Sequence, residues 1–119
     1  MFAIKQDSPL PELDPWGTVA DLGSEILEGE CLAFGQMVHG TPDAPVSCAF
    51  FAVTRGKFLM TYPFTEHAVV VEGYVTLIDQ NSGVPKTYGP GDGWFIEKGT
   101  PVLWEVHSAR FTKNYIAIA

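Results

Sequence analysis

Residues 64–79 read FTEHAVVVEGYVTLID, and this stretch decides the fold. Valine, tyrosine and threonine are residue types that strands favour, and Gly73 supplies a turn between the two halves. Neighbouring side chains of a strand point to opposite faces, so Glu66 and His67 do not share one. The stretch therefore predicts a pair of β-strands with Glu66 on one face and His67 on the other.

The chain on both sides of this pair has the same β-rich character. From Cys31 onward it contains short runs of β-branched and aromatic residues, with turn signals such as GTPDAP, RG, DQNSG and HSA between them. Some runs alternate apolar with polar residues, and others are apolar throughout, as in a sheet that is covered on both sides. The pattern predicts an all-β, closed, single-domain sandwich or barrel of roughly eight strands.

The first thirty residues differ from the rest because they are polar and contain prolines. Pro9, Pro11 and Pro15 break any helix in DSPLPELDPWG, and SEILEGE has only a weak helical pattern. We expect residues 1–30 to form an N-terminal arm or edge strand and residues 31–119 to form the barrel.

Composition and charge exclude several classes of protein. The 119 residues are 46% hydrophobic and 13% aromatic, which fits one folded domain rather than a disordered chain. A formal net charge of −7 argues against binding to nucleic acid or to anionic membranes. The longest uncharged apolar run, APVSCAFFAV, is too short to cross a bilayer, and the N-terminus lacks the pattern of a signal peptide. The sequence therefore predicts a cytoplasmic protein.

The two cysteines give little information about the function of the protein. Cys31 and Cys48 form no CxxC pair and no cluster with histidine, so they do not indicate a zinc site. We interpret them as two small buried thiols in a reducing compartment, with a single disulfide as the alternative.

Two blocks of the sequence resemble the signatures of the cupin superfamily. Glu66, six further residues and Gly73 fit the end of the first block, and GPGDGWFIEKG at residues 89–99 fits most of the second, with Glu97 where proline is usual. Over about residues 25–119 the chain is similar to small single-domain cupins grouped with ureidoglycine aminohydrolase and an ethanolamine-utilisation protein. The resemblance implies a cupin-type jelly-roll β-barrel (double-stranded β-helix), a fold that carries many unrelated functions.

The resemblance also raises the question of the metal, because cupins hold one with histidines. Counting back from Glu66 places the expected His-x-His pair at Met60 and Tyr62, or at Leu59 and Thr61 with a longer spacing. Neither pair contains a histidine.

The remaining ligand positions are also occupied by other residue types. The third histidine position is Val102, and the aminohydrolase pattern would need histidines at Ala68 and Glu72. Glu66 is thus the only expected ligand that remains, and one carboxylate does not hold a transition metal ion against water. The sequence predicts no metal ligands and no cofactor.

The residues that replace the histidines define a predicted pocket. Period-two alternation puts Met60, Tyr62 and Glu66 on one side of the sheet. The same alternation, counted from Val102, puts Trp104 on the same face as Val102. The resemblance adds Lys113, because relatives carry lysine there, although the pattern of RFTKNYIAI does not decide its face. The predicted ligand pocket consists of Met60, Tyr62, Glu66, Val102, Trp104 and Lys113.

Glu66 is the candidate catalytic residue. A carboxyl beside tyrosine and tryptophan loses hydration, and such a group can serve as a general acid or base. The alternative is that Glu66 pairs with Tyr62 or Lys113 and closes the barrel end. We expect the functional role, in which Glu66→Gln abolishes binding or turnover with little loss of stability.

Three functions remain open at this point. The first, which we favour, is binding of a small polar metabolite inside the barrel without a tightly held metal. The second is an aminohydrolase- or isomerase-like enzyme that uses Glu66 or a non-standard metal site, and the third is a structural dimer with a filled barrel. In each case we expect a homodimer, with the arm lying across the partner, because small barrels leave sheet edges uncovered.

Overall fold

The computed structural model describes residues 1–6 and 10–119, and these form nine β-strands. The strands are β1 Asp14–Thr18, β2 Glu25–Gly29, β3 Leu32–His39, β4 Val46–Thr61, β5 Thr65–Glu72, β6 Val75–Asp79, β7 Pro85–Tyr88, β8 Gly93–Ile96 and β9 Pro101–Ile118. The described residues contain no helix that is long and apolar enough to cross a membrane.

Two long strands, β4 and β9, organise the whole sheet. They pair antiparallel from Val46↔Ile118 to Thr61↔Pro101. β3 and β2 pair with successive halves of β4, and β5 and β6 pair with successive halves of β9. Three short strands complete the edges, since β1 pairs with β3, β8 with β5 and β7 with β6. This is the predicted all-β jelly roll of the cupin type.

The hydrogen-bonded sheet is not closed, which corrects one detail of the prediction. Among the described strands, neither β1 nor β2 pairs with β7 or β8. The two halves of the sheet instead enclose the interior by packing side chains against each other.

Two predicted turns are also wrong. The RG at residues 55–56 and the HSA at residues 107–109 do not end their strands, because β4 and β9 run through them. The register shifts between Thr54 and Gly56, opposite the same region of β9. Two irregularities that face each other bend a strand pair without separating it. A Cβ atom on Gly56 would lie 2.5 Å from the Glu28 carbonyl oxygen of β2, so glycine lets β2 approach this bend.

The N-terminal part of the chain supplies edge strands. β1 pairs with β3 through Asp14↔Gly35, and the weakly helical SEILEGE forms β2, in which Ile26 pairs with Phe58. Ile26 packs against the core, and this contact outweighs a weak helical pattern. Pro9, one of the three expected helix breakers, lies outside the described residues.

The interior of the barrel is packed with aromatic rings. Trp104 stacks on Phe58 with ring centroids 5.2 Å apart, and Phe111 contacts Trp104 edge-on at 5.6 Å. Trp94 stacks on Phe111 at 6.2 Å. Such pairs stabilise a fold by roughly 0.5–1.5 kcal/mol each beyond the area they bury. Any polar side chain that points inward therefore lies in an apolar environment.

The predicted turn at Gly73 is confirmed, and the prediction of two buried thiols is correct for Cys31 but not for Cys48. Gly73, between β5 and β6, has a φ of 83°, and a Cβ there would lie 2.5 Å from the Arg110 carbonyl oxygen. Cys31 is buried, Cys48 is half-buried, and both are free thiols.

Candidate functional site

Glu66 lies at the centre of the site and is fully buried. β5 directs it inward, together with Ala68, because alternate residues share a face. Its Oε2 atom accepts hydrogen bonds from the Tyr62 hydroxyl at 2.7 Å and from Trp94 Nε1 at 2.9 Å. Its Oε1 atom accepts a hydrogen bond from the Lys113 ammonium and forms an ion pair with it. Both carboxylate oxygens are therefore occupied by donors.

Lys113 points inward from β9, where it pairs with Phe51 of β4 and Val70 of β5. Only 3% of the residue is exposed. Five aromatic rings surround its Nζ atom, with centroid distances of 4.8 Å to Tyr115, 5.0 Å to Trp104, 5.3 Å to Phe51, 5.7 Å to Tyr62 and 5.8 Å to Trp94. An ammonium within about 6 Å of a ring face is attracted by it. The carboxylate and the rings together stabilise a positive charge at this position.

Burial shifts the titration of this cluster. It lowers the pKa of the Lys113 ammonium, and the neighbouring Glu66 carboxylate opposes that effect. Burial also raises the pKa of the Tyr62 phenol well above its usual value, and the negative charge of Glu66 adds to the increase. Tyr62 consequently remains a hydrogen-bond donor to Glu66 at every physiological pH.

An open cavity of about 560 Å³ lies against this cluster. Met60, Trp104 and Lys113 of the predicted pocket line it. Its other walls are mainly apolar and include Trp16, Phe51, Phe58, Phe64 and Tyr115. The indole N–H of Trp104 is buried and has no hydrogen-bond partner in the described part of the chain. The cavity thus combines apolar walls with one buried cation.

The remaining predicted pocket residues lie elsewhere. Val102 lines a second cavity of about 670 Å³ together with Trp94, Asp79 and Lys86. Tyr62 and Glu66 are buried and line neither of these two cavities, and Glu66 is connected to the first one through its ion pair with Lys113. The structure therefore brings half of the predicted set to one cavity, and the role of Glu66 as an acid or base stays a prediction.

Sequence reasoning missed several residues of the site. Tyr115 lies two positions after Lys113 on the inward face of β9, so alternation along that strand is the signal that identifies it. Phe51 is identified only by the pairing of β4 with β9, which no local pattern gives. Trp16 comes from the N-terminal edge strand and reaches the cavity because its ring lies directly on Gly35.

The residues present do not fit the metal that cupins hold. His39, His67 and His107 are all exposed, and no group of three or more suitable side chains could hold an ion within residues 1–6 and 10–119. Glu66 already accepts three hydrogen bonds, and the Lys113 ammonium beside it would repel a second cation. An ammonium and a set of aromatic rings therefore surround the carboxylate that a metal would need.

The jelly-roll sheet and its inward-facing signature glutamate define a cupin. The model of the EutQ-like cupin domain family matches residues 40–115, and the chain belongs to that family. The predicted resemblance to small cupins is thereby confirmed. A comparison with curated protein sequences finds no match.

Solved structures agree on the fold. EutQ from Clostridium difficile matches with a TM-score of 0.62 and 18% identity, over 74% of this chain and 68% of that one. The polyketide cyclase RemF from Streptomyces resistomycificus matches with a TM-score of 0.64 and 18% identity, over 99% and 79%. A protein of unknown function from Pseudomonas syringae matches with a TM-score of 0.76 and 18% identity, over 91% of this chain and 45% of that one. At such identities the likeness concerns the fold alone.

Proposed function

We propose that this cupin binds a small molecule in the 560 Å³ cavity and contacts it with Lys113 rather than with a metal. The observation that carries the proposal is a buried ammonium on the wall of an open cavity. Ligand sites are typically apolar clefts of about 300–1,000 Å³ with a few placed polar groups, and this cavity has that size and character.

The lining indicates what kind of molecule fits. Phe51, Phe58 and Tyr115 offer apolar surfaces, which suit a flat, mainly apolar body. The polar groups at the inner wall are donors, because the lysine ammonium has three N–H groups and Glu66 is its only acceptor among the described residues. The ligand should therefore carry an acceptor such as a carbonyl or carboxylate oxygen at one end. The sequence predicts a polar metabolite, and the walls favour one whose polarity is confined to that end.

The two alternatives receive less support from the geometry. Acid–base chemistry by Glu66, as in an aminohydrolase- or isomerase-like enzyme, would have to act through Lys113, which separates the carboxylate from the cavity. A purely structural role predicts a filled interior, whereas a cavity remains beside the aromatic core.

The homodimer and the cytoplasmic location are part of the proposal. Exposed apolar residues form a row on the outer face of β4, β9, β5 and β8, namely Val46, Ile116, Ile118 and Phe95. His67 of β5 lies between Ile116 of β9 and Phe95 of β8, because it pairs with both across the sheet. A second copy of the chain that covers this row would remove it from water. Two free thiols are consistent with a reducing compartment.

Quenching of tryptophan fluorescence tests the binding site. We expect naphthalene-2-carboxamide, which is flat and carries an acceptor oxygen, to saturate the quenching at lower concentration than naphthalene. The variant Glu66→Gln/Lys113→Met removes the cation but keeps an acceptor for Tyr62 and Trp94, so it should lose this preference. Lys57→Met, which changes an exposed lysine outside the cavity, should retain it. Equal binding of both compounds by the wild-type protein would contradict the assignment of Lys113 as the ligand contact.

A further inference from the structure

We propose that Lys113 is a reactive amine that condenses with the carbonyl group of its ligand to form an imine. This inference rests on the proposed function, because it names the chemistry by which the same cavity holds its ligand. It assigns a covalent step to Lys113 and a proton-transfer role to Glu66.

The first requirement is an amine that can lose its proton. Glu66 lies in direct hydrogen-bond contact with Lys113 and can accept that proton. Burial lowers the pKa of Lys113, which increases the share of free amine at a given pH. Tyr62 and Trp94 fix the other carboxylate oxygen, so Glu66 stays in place while it takes up and returns the proton.

The condensation then follows with balanced atoms and charge. The nitrogen lone pair of Lys113 attacks the carbonyl carbon, the C–N bond forms, and the carbonyl oxygen takes a proton to become a hydroxyl group. The C–O bond breaks next, and the oxygen leaves as water with a second proton. The ammonium and the carbonyl compound thus give a protonated imine and one water molecule, with the positive charge unchanged.

The surroundings of Lys113 stabilise this product as well as the starting ammonium. A protonated imine keeps its charge on the same nitrogen, so Glu66 and the five rings within 5.8 Å act on both states. The apolar walls also limit the water that would hydrolyse the imine. No other lysine has this environment, since Lys5, Lys57, Lys86 and Lys98 are all exposed.

Reductive trapping tests the proposal. The full-length protein would be incubated near neutral pH with naphthalene-2-carbaldehyde and sodium cyanoborohydride, which reduces a protonated imine in preference to the free aldehyde, and then digested and mapped by mass spectrometry. We expect the reduced adduct on the peptide that contains Lys113 and little on the four exposed lysines. Excess naphthalene-2-carboxamide, which occupies the cavity without condensing, should suppress the adduct.

Two lysine variants serve as controls, and the absence of an adduct on Lys113 is the contradicting result. Lys113→Arg keeps a charge but cannot form an imine, so the adduct should be lost, whereas Lys57→Arg should retain it. The mapping on wild-type protein decides the question even if Lys113→Arg does not fold. Label on the exposed lysines with Lys113 unmodified would overturn the imine. If naphthalene-2-carboxamide still binds in that case, the proposed function stands; if it does not, both fail.

Discussion

Glu66 and Lys113 form an ion pair in the apolar centre of the barrel, and neighbouring side chains offset the free-energy cost of burying the two charges. Removing two charges from water costs several kcal/mol for each ion, so a buried pair persists only where further contacts offset that cost. Tyr62 and Trp94 donate to the carboxylate, and ring faces surround the ammonium. The pair is therefore sensitive to the loss of either partner.

Glu66→Gln should destabilise the protein, in contrast to the expectation from sequence. The change leaves the Lys113 ammonium without its counter-charge, and breaking a buried pair in this way costs about 3 kcal/mol. Urea unfolding at neutral pH measures the difference. An unchanged midpoint would show that the charge of Glu66 is not needed for folding.

A double variant separates the ion pair from the shape of the site. Glu66→Gln/Lys113→Met removes both charges and keeps similar volumes, so it should lose less stability than Glu66→Gln alone. A loss equal to the sum of the two single changes would contradict the coupling.

Tyr115 should limit stability in alkali. Burial and the charge of Glu66 raise the pKa of its phenol above the usual value of 10.0. From about pH 10 upward the unfolded chain loses this proton while the native state keeps it, so the free energy of unfolding falls as pH rises. Tyr115→Phe should flatten the decline by up to about 1.4 kcal/mol per pH unit.

Urea unfolding between pH 9 and 11.5 checks this prediction by comparing the two proteins. Lys113 contributes in the opposite sense below pH 10.5, because the unfolded state binds its proton more tightly, and that contribution is common to both. Parallel curves for the wild-type protein and the variant would contradict the role of Tyr115.

At the scale of the elements, the N-terminal edge strand completes the cavity. Trp16 of β1 lines the cavity, and its ring packs on the backbone of Gly35 in β3. A Cβ atom at Gly35 would overlap the ring of Trp16. The glycine thus sets the distance between the edge strand and the barrel.

Gly35→Ala should displace Trp16 and weaken binding at the cavity. Overpacking of this kind costs about 1–3 kcal/mol, measurable by urea unfolding. The same change made in a Trp16→Ala background should cost little, because the overlapping ring is gone. An equal cost in both backgrounds would show that the contact with Trp16 does not explain the glycine.

The sequence predicts a strand or a turn correctly where neighbouring residues determine it. The prediction fails where the pairing of strands that are distant in sequence determines the structure. The valines of β5 and the turn at Gly73 identify that strand pair without any tertiary information. The bends of β4 and β9 resemble turns because Gly56 and Ser108 are typical turn residues, yet the opposite strand continues the ladder on both sides. Whether a polar dipeptide ends a strand or bends it depends on its partner.

The candidate site shows the same division. Glu66 and Lys113 were both identified, one by its block position and one by resemblance, and the structure joins them. Val102 was grouped with them because it occupies the third histidine position, but in the structure it lines a different cavity together with Trp94. Strand alternation predicts which face of the sheet a residue lies on. Which cavity that residue lines depends on how the aromatic rings fill the interior of the barrel.

At the scale of the whole molecule, the apolar row on the outer face predicts a homodimer. Phe95 is 63% exposed and Ile116 is 43% exposed, which is unusual for neighbouring large side chains on one sheet face. In the described residues the N-terminal arm packs on its own sheet, since Phe2 contacts Phe50 with centroids 6.0 Å apart. That contact leaves the row open for a partner.

Light scattering at micromolar concentration should give the mass of a dimer. Phe95→Lys and Ile116→Lys should each shift it toward the monomer, because either places a charge in the interface. Val84→Lys changes an exposed apolar residue outside the row and should have no effect. A monomeric wild-type protein would contradict the prediction.

The metal content of the protein decides most directly whether the cation inside this cupin is the ammonium of Lys113, as we propose, or a metal ion. Native mass spectrometry combined with elemental analysis of untagged protein measures bound metals and co-purified small molecules together. We predict less than one equivalent of zinc, manganese, nickel and iron per chain, and any small molecule that is retained should be an organic compound with an acceptor oxygen. One tightly held metal ion per chain, lost on Glu66→Ala, would contradict the assignment of Lys113 as the internal cation.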